Sequence, residues 1–269
     1  MTKANFFGVW VLAAILVAGI LAAVTFSPAA GAQDATTSLA GKTIVLDPGH
    51  GGGDTGARNA NGLTEKSQNL LVAYALRERL VAHGAKVYLT RGGDPTGDDP
   101  ILNDDDCNPD DATLSNNDRY TCANSKAGPV YGDNILISIH MNGSTNTAQD
   151  YTTSLYGKPS KDRTLALAIF NNGLTTLKVT TREDYSTDPP TIGETLIKTR
   201  SPYQFASGVL LKSKMPATLA ESVFITNNRE GQWLMDGRPT MGGDILDRRE
   251  EIAAALEQGI ISYFYPPVG

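Results

Sequence analysis

The stretch that most limits what this chain can become runs from Lys42 to Thr90. Ile44-Val45-Leu46 is an apolar, β-branched run that stops at Asp47-Pro48-Gly49, so Lys42 to Leu46 reads as a buried strand leaving into a sharp loop. From Glu65 to about His83, Ala73, Leu76 and Leu80 recur at helical spacing, and Gly84 supplies the stop. Lys86 to Thr90 alternates and reads as a second strand. Strand, helix and strand at this spacing form a βαβ unit, whose two strands run parallel. The chain is therefore expected to be α/β.

The remaining elements follow in order. Asp118 to Ala127 reads as a short helix ended by Gly128-Pro129. Ile135 to Ile139 is apolar on both faces and reads as a central strand. Thr152 to Tyr156 reads as a polar edge strand, and Thr164 to Leu177 as a helix. Thr180 to Pro190 is polar and reads as a loop bordering a cleft; Pro202 to Leu211 fits no one element. Ala217 to Ala220 is a strand that delivers Glu221. Asp244 is placed to cap a last helix carrying Ile252, Leu256 and Ile260. No internal repeat and no second domain is visible.

Ahead of this body, Phe6 to Phe26 is apolar or small, and Ala30-Gly31-Ala32 suits a signal peptidase. Residues 1–32 read as a secretory signal, with an uncleaved membrane anchor as the rival because the run approaches the length of a span. Residues 33–41 read as a linker and 42–266 as the domain. Either reading puts the body outside the cytoplasm. There Cys107 and Cys122 are expected to pair, stabilising by up to ~3 kcal/mol in the chain-entropy model. A net charge of -6 with no basic stripe excludes a nucleic-acid binder. Gly92 to Asp118 reads as an acidic surface insertion pinned by the cysteines. Its Asp104, Asp106, Asn108 and Asp110 alternate as in calcium loops, but Pro109 and Ser115 replace the glycine and glutamate such loops need.

Candidate chemistry concentrates at strand ends. His50 leaves the first strand among Gly49, Gly51, Gly52 and Gly53, where the backbone can fold closely around it. His140 ends the central strand and is followed by Asn142-Gly143. With Glu65 at the helix start they match a His₂Glu zinc set that leaves one position open for water. The bland alternatives are two hydrogen-bonded core histidines and a carboxylate that favours the helix dipole. His83 is read as such a dipole contact at its helix end. Glu221 lies in an apolar run, where it needs a partner such as Arg229 or serves as a general base at a cleft.

Leu46-Asp47-Pro48-Gly49-His50-Gly51-Gly52, Thr64-Glu65-Lys66, Leu89-Thr90-Arg91, Ser138-Ile139-His140-Met141-Asn142 and Leu219-Ala220-Glu221 together resemble the zinc-dependent N-acetylmuramoyl-L-alanine amidases of the type 3 group. The resemblance spans roughly Lys42 to Tyr265. It implies a single-domain, twisted, mostly parallel mixed sheet of about six strands with helices on both faces. It makes His50, Glu65 and His140 the ligands of a Zn²⁺ and Glu221 the catalytic glutamate. The implied reaction is hydrolysis of the amide between the lactyl group of muramic acid and L-alanine, in peptidoglycan or muropeptide fragments. A monomer is expected, touching membrane only if the N-terminal segment is retained. Met141, Val223 and Asn228 stand where the family usually has alanine, glycine and proline. Arg91 and Arg119 match family positions and are expected in ion pairs with Asp94 or Asp133. Lys198 to Leu211 carries no convincing amphipathic helix that would block the zinc, so an open enzyme acting on small fragments is expected. Rival readings are a zinc peptidase cutting within the stem peptide and a non-catalytic wall-binding module. A phosphate loop at Gly49 to Gly56 is disfavoured, because the Lys-Ser/Thr of such loops is missing.

Overall fold

The computed structural model describes residues 37–92, 107, 114–127, 132–184 and 191–267. All of them belong to one compact unit, Ala35–Gly269. In chain order the elements are β1 (Thr43–Pro48), α1 (Glu65–Ala82), β2 (Lys86–Leu89), α2 (Asn116–Lys126), β3 (Asn134–Asn142), β4 (Thr153–Tyr156), α3 (Lys161–Asn172), β5 (Lys178–Asp184), β6 (Thr191–Leu196), β7 (Tyr203–Gln204), α4 (Gly208–Lys212), β8 (Ala217–Phe224), α5 (Asn228–Asp236), β9 (Arg238–Pro239), β10 (Ile245–Leu246) and α6 (Arg248–Phe264).

Six strands form the main sheet in the order β2-β1-β3-β8-β4-β7. The pairs β1–β2, β1–β3, β3–β8 and β4–β7 are parallel, and β4 runs antiparallel to β8. The βαβ unit closes as its sequence dictates, with Ile44 beside Val87. Alternation along β1 divides the core. Ile44 and Leu46 join Leu70, Ala73, Leu76 and Leu80 of α1, Ile169 of α3, and Ile252, Leu256 and Ile260 of α6. Val45 joins Ala123 of α2 and Val209 and Leu210 of α4 on the other side. Helices therefore cover both faces, as expected of a mostly parallel sheet.

Local signals set the element ends. Gly84 has φ 84°, which lets the chain turn out of α1 and into β2. Ser115 and Asp118 form a reciprocal capping box at the start of α2. Cys122 of that helix is disulfide-bonded to Cys107. Asp104, Asp106, Asn108 and Asp110 lie outside the described residues, as does Pro189-Pro190.

Three elements differ from the sequence reading. First, β4 is not an edge strand. It lies between β8 and the two-residue β7, and Thr153 and Ser154 are buried. Ser154 is tolerated there because its Oγ donates to the Ala166 carbonyl of α3 at 2.8 Å. Second, the polar stretch after Leu177 is a β5–β6 hairpin, with Lys178 opposite Leu196. Third, α6 is capped by Asp247, whose side chain accepts from Arg249 N–H, not by Asp244. Leu39, in the segment read as a linker, is fully buried, and its N–H donates to the His83 carbonyl at 2.7 Å.

Candidate active site

The carboxyl ends of β1, β3 and β8 lie side by side, the place where open α/β sheets gather ligands. His140 and Glu221 are register partners across β3 and β8. His50 follows β1 and has φ 64°, the one non-glycine residue with positive φ among the described residues. Such a conformation costs free energy and persists only where its surroundings impose it. Two buried arginines do so. Arg91 donates to the carbonyls of Pro48 (2.8 Å), Gly49 (3.0 Å) and Lys66 (2.8 Å). Arg119 donates to the Pro48 carbonyl (2.9 Å), to the His50 carbonyl and to Asp47 Oδ1 (2.7 Å). Asp47 also accepts from Thr90 Oγ1 at 2.6 Å and Ser138 Oγ at 2.7 Å. Asp47, not Asp94 or Asp133, is thus the carboxylate that pairs with Arg119; Asp133 pairs with Lys42, and Asp94 is outside the described residues.

Glu65 stands at the centre. Its Oε1 lies 3.1 Å from His50 Nε2 and 3.0 Å from His140 Nδ1. It accepts from Met141 N–H at 3.1 Å and Asn69 Nδ2 at 3.3 Å, while Ala57 N–H donates to its Oε2 at 3.0 Å. The imidazole rings meet edge to face, with centroids 4.9 Å apart. One donor atom from each of His50, Glu65 and His140 lies within 4.8 Å of the others, so the three could hold a metal ion. Glycine is needed for this approach. A Cβ at Gly49 would overlap the His140 ring, and one at Gly56 would fall 2.6 Å from both Glu65 Oε2 and His50 Cδ2.

The charges are set to match. Burial lowers the His50 pKa, but hydrogen bonds from Glu65 and Asp54 outweigh it and raise the value to about 9. Burial acts to raise the Glu65 pKa, and its two histidine partners reverse that, holding the carboxyl well below its usual range. Asp54 Oδ2 lies 3.0 Å from His50 Nδ1, so both ring nitrogens of His50 face carboxylates. Asp54 orients the ring as a partner behind a metal ligand would. The sequence reading passed over it, although its position four residues after His50 in the same glycine loop was visible.

Glu221 does not pair with Arg229. Arg229 pairs with Asp150 at 3.2 Å, and Glu221 Oε2 is buried with no hydrogen-bond partner among the described residues. Burial pushes its pKa up to about 7, opposed by His140 and His50 and aided by Glu65. His83 is apart from the site, with Nε2 2.9 Å from Glu257 of α6. A cavity of about 380 Å³ is bordered by Arg58, Asn59, Ser144, Thr147, Asn228 and Gln232.

At this sheet edge two imidazoles and a carboxylate could hold one metal ion beside Glu221, whose Oε2 is buried, a donor chemistry that suits a metal-dependent hydrolase. The sequence model of the family described as N-acetylmuramoyl-L-alanine amidase matches residues 44–247, and the chain belongs to that family. It is 28% identical to N-acetylmuramoyl-L-alanine amidase AmiA of Escherichia coli (strain K12) over 253 residues, 83% of this chain and 76% of that protein. It is 32% identical to N-acetylmuramoyl-L-alanine amidase CwlM of Bacillus licheniformis over 194 residues, 71% of this chain and 60% of that protein. Among solved structures, an N-acetylmuramoyl-L-alanine amidase from Clostridium difficile 630 shares the fold with a TM-score of 0.61 and 24% identity, over 86% of this chain and 100% of that one. The catalytic domain of CwlV from Bacillus (Paenibacillus) polymyxa gives 0.58 and 23%, over 82% and 97%.

Proposed function

We propose that this enzyme hydrolyses the amide between the lactyl group of N-acetylmuramic acid and L-alanine, with His50, Glu65 and His140 holding Zn²⁺ and Glu221 as general base and acid. Two neutral imidazoles and one carboxylate are the donor chemistry of catalytic zinc sites, and the three donors already converge, so the residues fit the ion. When bound there, zinc supplies Lewis acidity, polarising the carbonyl and acidifying water towards a pKa of ~7. The chain's own groups do the rest. Glu65, held by three donors (Met141 N–H, Asn69 Nδ2 and Ala57 N–H) besides its two histidine partners, keeps its carboxylate ionised and fixed. Asp54 holds the His50 ring. Glu221 takes a proton from the attacking water and returns it to the departing L-alanine nitrogen. A carboxyl with a pKa near neutrality suits both transfers.

The observation that carries this reading is the buried, unpartnered Oε2 of Glu221 beside the three-donor group. Substituting Glu221→Gln keeps size and burial but removes the base. Turnover of N-acetylmuramoyl-L-alanyl peptides should fall about 10²–10⁴-fold with zinc content unchanged. Unaltered turnover would overturn the assignment. Mass analysis of the digest separates this reaction from peptidase action, since only the amidase releases the whole peptide from muramic acid.

The same reading makes residues 1–32 a signal or anchor, 33–41 a short lead-in and 42–266 the catalytic domain, working as a monomer in the cell envelope or outside the cell. It is supported by the Cys107–Cys122 bond, which belongs to oxidising compartments, and by the wall-directed activity of the family. Among the described residues no helix is long and apolar enough to cross a membrane.

A further inference from the structure

Glu221 has the His140 strand on one side and β4 on the other. Thr153 sits opposite Glu221 across that second pairing, and its Oγ1 is also buried, without a hydrogen-bond partner among the described residues. The next chain along is the segment before β7. Thr152 N–H donates to the Lys198 carbonyl, and Arg200 N–H donates to the Thr152 carbonyl, both at 2.9 Å. Arg200 is therefore two chain spacings from Glu221, roughly 10 Å of backbone at ~4.8 Å per spacing, at the same level of the sheet.

Its side chain is positioned. The guanidinium carbon lies 4.5 Å from the Tyr203 ring centre and 5.9 Å from that of Tyr151, and Nη1 donates to the Tyr151 hydroxyl at 3.2 Å. Tyr151 is itself braced edge-on against Phe224 at the end of β8, with ring centres 4.7 Å apart. Tyr203 packs with Leu155 and Leu219. Leu219 precedes Glu221 by two residues on the strand, so Tyr203 and Glu221 lie on one face. Burial is the main cause that raises the Tyr203 pKa, and the Arg200 charge beside the ring opposes it.

Arg79, Arg119, Arg229, Arg238, Arg248 and Arg249 each pair with a carboxylate, whereas Arg200 is exposed and enters no ion pair among the described residues. An arginine that only covers aromatic surface needs one ring and no fixed fork. Here two rings and a hydroxyl hold the fork, leaving its remaining N–H groups for an anion of matching geometry.

We propose that Arg200, clamped by Tyr151 and Tyr203, binds a free carboxylate on the peptide side of the substrate and so selects acidic over amidated stem peptides. This rests on the amidase reading of the same site. It puts the scissile amide at Glu221 and runs the departing peptide past Thr153 to Arg200. The test uses two substrates that differ in one group, N-acetylmuramoyl-L-alanyl-D-glutamate with its γ-carboxyl blocked as a methylamide, and the same compound with its α-carboxylate also amidated. Wild-type enzyme should prefer the acid about 10- to 100-fold in kcat/KM, chiefly through KM, the range of one charge-assisted pair. In Arg200→Gln the ratio should fall to near one, and in Arg200→Lys to an intermediate value. Calorimetric titration of each protein with the free peptide L-alanyl-D-isoglutamate should show the same loss of affinity. A wild-type ratio near one, or an unchanged ratio and peptide affinity in Arg200→Gln, would overturn the proposal. If wild type cleaves neither substrate yet binds the acidic peptide through Arg200, the amidase reading fails and the anion site stands.

Discussion

Two polar clusters lie in this domain, and they are built on opposite plans. Behind the sheet, Arg248 of α6 makes two 2.8 Å bonds to Glu230 of α5, and both side chains are fully buried. Arg248 also reaches Glu251 at 3.2 Å, and Arg238 ties Glu251 (2.7 Å) to Glu194 of the β6 hairpin strand (2.9 Å). Fixed cations meet carboxylates throughout, so this cluster is satisfied by its own members. At the sheet's carboxyl edge, the ion-pair partners of Glu65 are imidazoles and not fixed cations, and Glu221 Oε2 has no hydrogen-bond partner among the described residues. Both nitrogens of His50 face carboxylates, an arrangement that without a metal holds an extra proton on the ring. The lesson is that burial of charge alone does not mark function. A cluster complete in itself holds the fold; one that balances only with a proton or an added cation is a site.

The largest effect should come from breaking the complete cluster. Arg248→Met leaves Glu230 buried without a partner and should cost about 3–5 kcal/mol of stability by denaturant unfolding. The same substitution should leave zinc stoichiometry of the folded fraction at wild-type level. If it costs under 1 kcal/mol, the distinction between the clusters is wrong.

Next in size is Gly49→Ala, which changes no functional group but drives a methyl into the His140 ring. Displacing one ligand ring should lower turnover about 10²-fold and weaken zinc retention, with little change in unfolding midpoint of the metal-free protein. Wild-type turnover would mean that the ring has freedom the packing denies.

The smallest effect concerns pH. In the metal-free protein the His50 pKa is raised from 6.5 to about 9. A raised histidine adds stability that is fully present below pH 6.5 and is lost as pH climbs through 9. Metal-free protein should therefore lose thermal stability across that window, while zinc-loaded protein should not. Zinc uptake near pH 7.5 should release a proton, read as a buffer-dependent binding enthalpy. No release would show that His50 is already neutral and the site differently balanced.

Much of this was legible in the chain itself. β1, β3 and β8 announce themselves as apolar runs, and His50, His140 and Glu221 stand at or near their ends, so topology alone brings them to one edge. The failures share a cause: partners remote in sequence. Thr152 to Tyr156 read as an edge strand because Ala166 and the covering β7 cannot be seen from a strand's own residues. The β5–β6 hairpin hid in polar sequence, since it is tied down through Glu194 by Arg238 of a later element. The partners of Arg91 and Arg119 were sought among nearby acids, whereas much of what they hold is backbone carbonyl of the loop that carries His50.

The most direct test is metal analysis paired with activity on the compact unit Ala35–Gly269 and its Glu65→Ala variant. Wild type should carry one zinc per chain, lose all turnover of N-acetylmuramoyl-L-alanyl peptides on chelation and regain it with one equivalent. Glu65→Ala should stay folded, hold no stoichiometric zinc and be inactive at any added concentration that leaves wild type saturated. Full zinc content and turnover in that variant would contradict the central claim, because the carboxylate at the centre of the donor group would then be dispensable.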